Sequence, residues 1–267
     1  MVLTNPKLNN YSIPIKSVMS LVGVPLIVAL SPAHAQQMPV VSYKPPNRGA
    51  PTISTPAGSR PWCSDPTGES ENRSISRDVN SDINNELPLT LLAPALTHWG
   101  ATSSAIPPIW LYVPDDIGTL KLVLIDEQTQ ALLHEITLPV QAEGAIAYLS
   151  LAAADMPPLE PEREYRLRFD FLCDGGVLAG QSSGVIEFQP VSPELQIQLD
   201  MAESPEQAQL LADAGIWYDA FHTVATQYCD EPDNPLWSQA WQDLLQHYVV
   251  GLNTMVDQPL FGCAAPR

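Results

Sequence analysis

The sequence predicts an α+β protein with an N-terminal proline-rich arm, an immunoglobulin-like β-sandwich of about seven strands, and a C-terminal TPR-like helical hairpin with a capping helix. Three observations carry that class. Between Leu87 and Pro190, short apolar or alternating runs are separated by Pro, Gly, Asp and Ser clusters, the punctuation of strands and turns. After Pro190 the punctuation changes to helix starts such as Ser204-Pro205-Glu206. Before Leu87 neither periodicity is present.

Residues 1–35 read as an export signal. Lys7 and Lys16 precede an apolar run from Val18 to Leu30, and Ala33-His34-Ala35 offers small residues for a peptidase, with cleavage after Ala35. The run is about 13 residues long, short of the ~20 that a bilayer span requires, so no membrane span is expected after cleavage. The chain then belongs in the periplasm or outside the cell. Its formal charge is −18, and loss of the two leader lysines deepens it. Such a charge repels nucleic acid and anionic membrane surfaces at long range, so no nucleic-acid partner is expected.

Residues 36–86 form the arm and a polar loop. Prolines from Pro39 to Pro61 leave no room for a helix, so the arm is expected to be extended or disordered. It nevertheless ends in Trp62-Cys63, two residues that favour burial. From Ser64 to Glu86, Ser, Asn and Asp dominate.

Residues 87–190 carry the strand runs LPLTLLAP, IWLYVP, LKLVLID, LLHEITLP, AIAYLSL, EYRLRFDFLC and GVIEFQP. In EYRLRFDFLC, Tyr165, Leu167, Phe169, Phe171 and Cys173 share one face, and Arg166, Arg168 and Asp170 share the other. Cys173 therefore continues the core side of its strand. Four cysteines in an exported chain favour two disulfides over metal ligation, with three possible pairings. The position of Cys173 and the Trp62-Cys63 ending favour Cys63–Cys173. Cys229 and Cys263, which bracket the helix signalled by Asn234-Pro235, would form the second bridge. A Cys63–Cys229 bridge would instead staple the arm to the tail.

Residues 191–267 form the helical tail. Ser192 and Ser204 each precede Pro-Glu, the pattern of an N-cap followed by Pro, and Gln207 would complete a capping box at Ser204. A short helix is favoured at Ser192, although Leu195, Ile197, Leu199 and Met201 also alternate as a strand would. Gly215 separates two further helices and Asn234-Pro235 starts another. Ala208, Gly215, Ala220 and Pro232 fall at offsets that resemble one tetratricopeptide unit. Gln227 departs from that pattern, and an ordinary helical hairpin remains the alternative.

Motifs that suggest catalysis are weak. Gly180-Gln181-Ser182-Ser183-Gly184 matches G-x-S-x-G, but a nucleophile elbow needs a helix after it and the following residues read as a strand. A hairpin loop is the better expectation, with a hydrolase using Ser182 as the alternative. His98, His134, His222 and His247 have no ligand spacing, so neither metal nor cofactor is expected, and no catalytic residue is assigned. Glu160, Glu162 and Glu164 around Pro161 read as a solvated loop and strand start. Trp217, Tyr218 and Phe221 form the candidate binding face, with packing against Trp237 or Trp241 as the alternative.

The stretches RGAPTISTPAGSRPWC, LTLLAPALTHWGATSSAIPPIWLYVP, PPLEPEREYRLRFDFLCD and LLADAGIWYDAFHTVATQY resemble the exported cyanobacterial family known as domain of unknown function 928 (DUF928), from about Arg48 to Leu252. The resemblance implies an extracytoplasmic protein of unassigned activity and brings no catalytic residues with it. STPAGSR is poorer in glycine than the family's arm, and Cys229 and Cys263 look like additions to its pattern. The expected role is a protein-binding or scaffold module acting on another extracytoplasmic protein, such as a sensor ectodomain. A glycan-binding envelope protein is a further alternative.

Overall fold

A computed structural model describes residues 41–46, 63, 87–114, 116–142, 144–152 and 154–263. The export signal, the cleavage point and most of the arm lie outside them. Eight strands run in chain order: β1 (Thr90–Leu91), β2 (Trp99–Thr102), β3 (Pro108–Val113), β4 (Asp116–Asp126), β5 (Leu132–Ala142), β6 (Ala145–Ser150), β7 (Glu164–Leu172) and β8 (Leu178–Phe188). Four helices follow, α1 (Pro193–Met201), α2 (Ser204–Asp213), α3 (Trp217–Asp230) and α4 (Pro235–Gln246). The mixed α+β class thus holds.

The strands make a three-stranded sheet of order β1-β3-β6 and a five-stranded sheet of order β2-β8-β7-β4-β5. Ile109, Leu111 and Val113 of β3 lie in one core with Leu122 of β4, Phe169 of β7 and Ile186 of β8. The alternation on β7 is as the sequence suggests, with Tyr165, Leu167, Phe169 and Phe171 all buried. Seven of the strands grow from the seven predicted runs. The eighth, β2, is Trp-Gly-Ala-Thr, and it pairs in parallel with β8, Trp99 opposite Val185. Four residues containing glycine carry no periodic signal, so this strand exists through its tertiary neighbours.

Two local expectations need correction. Residues 180–184 do not form a hairpin loop. They lie inside β8, where Gln181, Ser182, Ser183 and Gly184 pair with Asp170, Phe169, Arg168 and Leu167 of β7, and the turn falls earlier, at Asp174–Val177. The capping box at Ser204 is also absent, because α2 begins at Ser204 itself with Glu203 at the N-cap and no side-chain cap bond. Gln207 reaches back instead to the carbonyls of Leu199 (2.9 Å) and Ala202 (3.0 Å), tying α2 to the end of α1.

Other helix signals act as read. The Ser192 hydroxyl accepts from the Leu195 N–H (3.2 Å), and Asn234 Oδ1 accepts from the Leu236 N–H (3.0 Å). Gly215 adopts φ +76°, the left-handed conformation that lets the chain turn from α2 into α3. The helices are not a separate layer: Ala208, Trp217, Phe221 and Trp241 belong to the same contiguous core as the sheets. Among the described residues, no helix is long and apolar enough to cross a membrane.

The cysteines lie as two pairs at disulfide distance. Cys63 and Cys173 have Cα atoms 5.3 Å apart, and Cys229 and Cys263 5.1 Å. Both bridges suit an oxidising, extracytoplasmic compartment.

Candidate functional site

The aromatic residues expected to form a binding face sit in the core. Trp217, Tyr218 and Phe221 are 0%, 2% and 1% exposed. The Trp217 indole N–H donates to the Leu92 carbonyl (2.8 Å), which locks the first turn of α3 to the chain after β1. Phe221 stacks on Trp217, packs on Trp241, and meets Trp110 of β3 edge-on. A Cβ on Gly100 would lie 2.9 Å from the Tyr218 ring and 3.1 Å from Trp217, so β2 carries glycine where α3 comes closest. Phe221 thus packs against α4 through Trp241, while Trp217 and Tyr218 close on the chain after β1 and on β2. A helix of mostly small and aromatic residues can bury so large a face only against another hydrophobic layer.

One outward relay crosses the same seam. The Trp110 indole N–H donates to His222 Nδ1 (3.2 Å), and Tyr148 lies beside both rings. Burial pushes the His222 pKa down, with the Asp219 carboxylate opposing that shift. Asp219 itself accepts from the Ser103 backbone N–H (2.9 Å) and hydroxyl (2.7 Å).

Ser182 faces β1. Its hydroxyl accepts a hydrogen bond from the Leu91 N–H at 2.9 Å, in the middle of a continuous strand with no helix after it. His134, on β5, contacts the Ala154 carbonyl instead (3.2 Å).

A cleft of about 830 Å³ opens at one end of the five-stranded sheet and is lined by Glu127, Glu162, Arg163, Glu164, Glu187 and Gln189 among others. Its groups come from separate segments that only the strand register brings together, so no single run of the sequence announces it. Glu164 and Glu187 are direct cross-strand neighbours on β7 and β8. Glu164 accepts from the Trp99 indole (3.1 Å) and Glu187 from Gln189 (3.0 Å). Arg166 grips Glu127 with two hydrogen bonds, one of them 2.9 Å long. Asp126, buried beneath the rim, accepts from the Thr129 backbone N–H and hydroxyl and pairs with Arg163. The Thr129 bonds first, and then the guanidinium, hold the Asp126 pKa down to about 2. Glu162, at the lip, has φ +58°. The carboxylates therefore knit strand ends together while presenting a polar, acidic wall. Among the described residues, no group of three or more His, Cys, Asp and Glu side chains is arranged to hold a metal.

A different feature is the outer edge of the five-stranded sheet. β5 is 11 residues long and pairs with β4 alone among the described strands. Its Leu132 and Leu133 are exposed. The opposite sheet handles its edge otherwise: the Ile146 N–H donates to the Pro259 carbonyl and the Phe261 N–H to the Ile146 carbonyl, both at 2.8 Å, so the C-terminal segment covers β6.

Comparison with known proteins adds a family and little more. No curated protein matches the sequence. Among solved structures, the chain is similar at 12% identity and TM-score 0.25 to a Paenibacillus sp. cycloisomaltooligosaccharide glucanotransferase complexed with cycloisomaltoheptaose, over 40% of this chain and 14% of that one. It is similar at 12% identity and TM-score 0.24 to a family 76 glycoside hydrolase from a bovine Bacteroides thetaiotaomicron strain, over 39% of this chain and 20% of that one. The chain thus spans only a small part of either enzyme. The family model for the Domain of Unknown Function (DUF928) matches residues 69–260, a stretch that takes in every strand and all four helices, and the chain belongs to that family.

Proposed function

We propose that the protein is an exported binding or scaffold module, without catalysis of its own, that docks on another extracytoplasmic protein such as a sensor ectodomain. The observation that carries this reading is the open edge of β5. An 11-residue edge strand leaves a row of main-chain donors and acceptors that a partner strand can complete. Pro139 has no N–H to offer, so the stretch before it, from Leu132 to Leu138, is the docking segment. Two finer architectural readings support a scaffold role. The paired sheets are read as an immunoglobulin-like sandwich, and the burial of Ala208 and Ala220 together with the left-handed Gly215 favours a TPR-like hairpin capped by α4.

The test is site-specific photo-crosslinking in the native envelope. A photoreactive residue at Leu133 should capture one partner, whereas the same probe at Met201, an exposed residue on α1, should not. Equal capture from both positions would remove the basis for the β5 assignment. A second reading, glycan binding, is favoured by the polar cleft, since carboxylate, amide and guanidinium groups all hydrogen-bond sugar hydroxyls. Loss of glycan binding on Gln189→Ala, with β5 crosslinking absent, would select it.

A further inference from the structure

Val41–Pro46 is the only described part of the proline-rich arm apart from Cys63, and it is partly buried without forming a helix or strand. Val41 and Tyr43 are each 1% exposed. The segment crosses all three longer helices. Val41 and Ser42 share a small cleft with Asp243, Gln246 and His247 at the end of α4. The Tyr43 ring meets Trp217 of α3 edge-on at 5.1 Å. The Lys44 N–H donates to the Ala212 carbonyl (3.1 Å), and Lys44 Nζ pairs with Asp213 (2.5 Å), both at the end of α2. A Cβ on Gly215 would come 3.2 Å from the Lys44 carbonyl oxygen and from Pro46, so the turn between α2 and α3 is shaped around this strap.

These contacts are those of a peptide in a groove: one ring in a pocket, one main-chain bond and one charge pair at the rim. The fit is incomplete in a particular way. The Tyr43 hydroxyl, the Tyr218 hydroxyl and His247 Nδ1 are buried with no hydrogen-bond partner among the described residues. Burial raises both phenol pKa values, and each phenol would regain water if the strap lifted. The strap joins the core through Val41 and Tyr43, and it is also tethered. Residues 47–62 separate it from Cys63, which is held to the sheet by Cys173, so a released strap stays close and can return.

We propose that Val41–Pro46 is a releasable plug in a peptide-docking groove of the helical tail. The outside ligand that replaces it is an extended segment of the same chemistry, with an apolar residue, a tyrosine two positions on and a basic residue directly after it. This groove is distinct from the β5 edge, and either can fail without the other. It also gives Trp217 and Tyr218 a role in recognition that their burial would otherwise deny, since Tyr43 is what covers Trp217.

The test uses the full chain with both disulfides intact and a fluorescent peptide of residues 39–48. In wild type the strap competes in cis at an effective concentration on the order of millimolar, so the peptide should bind weakly. A Tyr43→Ala/Lys44→Ala variant, with near-ultraviolet circular dichroism retained, should bind it at least about tenfold more tightly. Equal affinity, or no binding to the folded variant, overturns the proposal. Hydrogen exchange on the wild-type protein decides the matter even if that variant does not fold. The Lys44 amide should exchange by local opening, well before the amides of Ala220 and Val224 in α3. Exchange of Lys44 only together with those amides would make the strap part of the core and overturn the proposal.

Discussion

Truncating Trp217 to alanine tests whether the helical tail is core or appendage. The side chain is fully buried, stacks on Phe221, meets Tyr43 edge-on and donates its indole N–H to the Leu92 carbonyl. Removing a buried tryptophan of this kind costs about 3–5 kcal/mol through lost transfer energy and the cavity left behind. Stranding the Leu92 carbonyl without its donor adds about 1 kcal/mol or more. The sum, ~4–6 kcal/mol, is a large fraction of the roughly 5–15 kcal/mol that holds a domain folded. Urea unfolding followed by tryptophan fluorescence, with disulfides intact, should show the midpoint falling by about 2 M for a slope near 2–3 kcal/mol/M. Trp217→Phe keeps most of the ring area and loses the N–H, so it should cost about 2 kcal/mol, less than half as much. A Trp217→Ala midpoint within the error of wild type would refute the placement of α3 against β2 and β3.

Four further outcomes follow from other features. Gly100→Ala would press a methyl group against the Tyr218 and Trp217 rings, and should destabilise by about 1–3 kcal/mol in the same assay. Opening the Cys63–Cys173 loop by a Cys63→Ser/Cys173→Ser double change should cost up to ~4–5 kcal/mol, given the 110 residues it encloses. Non-reducing peptide mapping of wild type should recover that bridge together with Cys229–Cys263. His222 has a folded pKa below its unfolded value near 6.5, so its contribution is complete above that value and is lost as pH falls through it towards the folded pKa. Stability measured between pH 7.5 and pH 5 should therefore drop, and less steeply in His222→Asn, although His98 and His247, also pushed down by burial, will leave a residual slope.

The parts of the fold that could be read from the chain are those governed by neighbours in sequence. Alternation in Glu164–Leu172 gives both the strand and its buried face, because a half-buried strand leaves a period of two. Pro at the helix starts and Gly215 at the turn are local backbone chemistry. What escaped are features fixed by distant partners. The strand at Trp99–Thr102 depends on β8 and α3, and the serine-rich start of β8 is held in strand form by pairing with β7 on both sides of Ser182. Tyr43 is the instructive case. Val41-Ser42-Tyr43 carries an apolar alternation, but among so many prolines it is too short to separate from an extended arm. The acidic cleft is invisible for the same reason, since Glu127, Glu164 and Glu187 meet only through strand register.

The pairing of early and late segments has a consequence for how the protein is made. Chains emerge from the N-terminus at about 5–20 residues per second. Tyr43 precedes Trp217 by about 170 residues, so its ring waits roughly 10–30 seconds for the surface it packs on. Trp99 waits about half as long for Val185. Until α3 emerges about 110 residues later, the face of β3 that carries Trp110 lacks the Phe221 ring it packs on. The nascent protein thus passes through an adhesive phase that ends once Phe221 and Trp241 have emerged to bury Trp110.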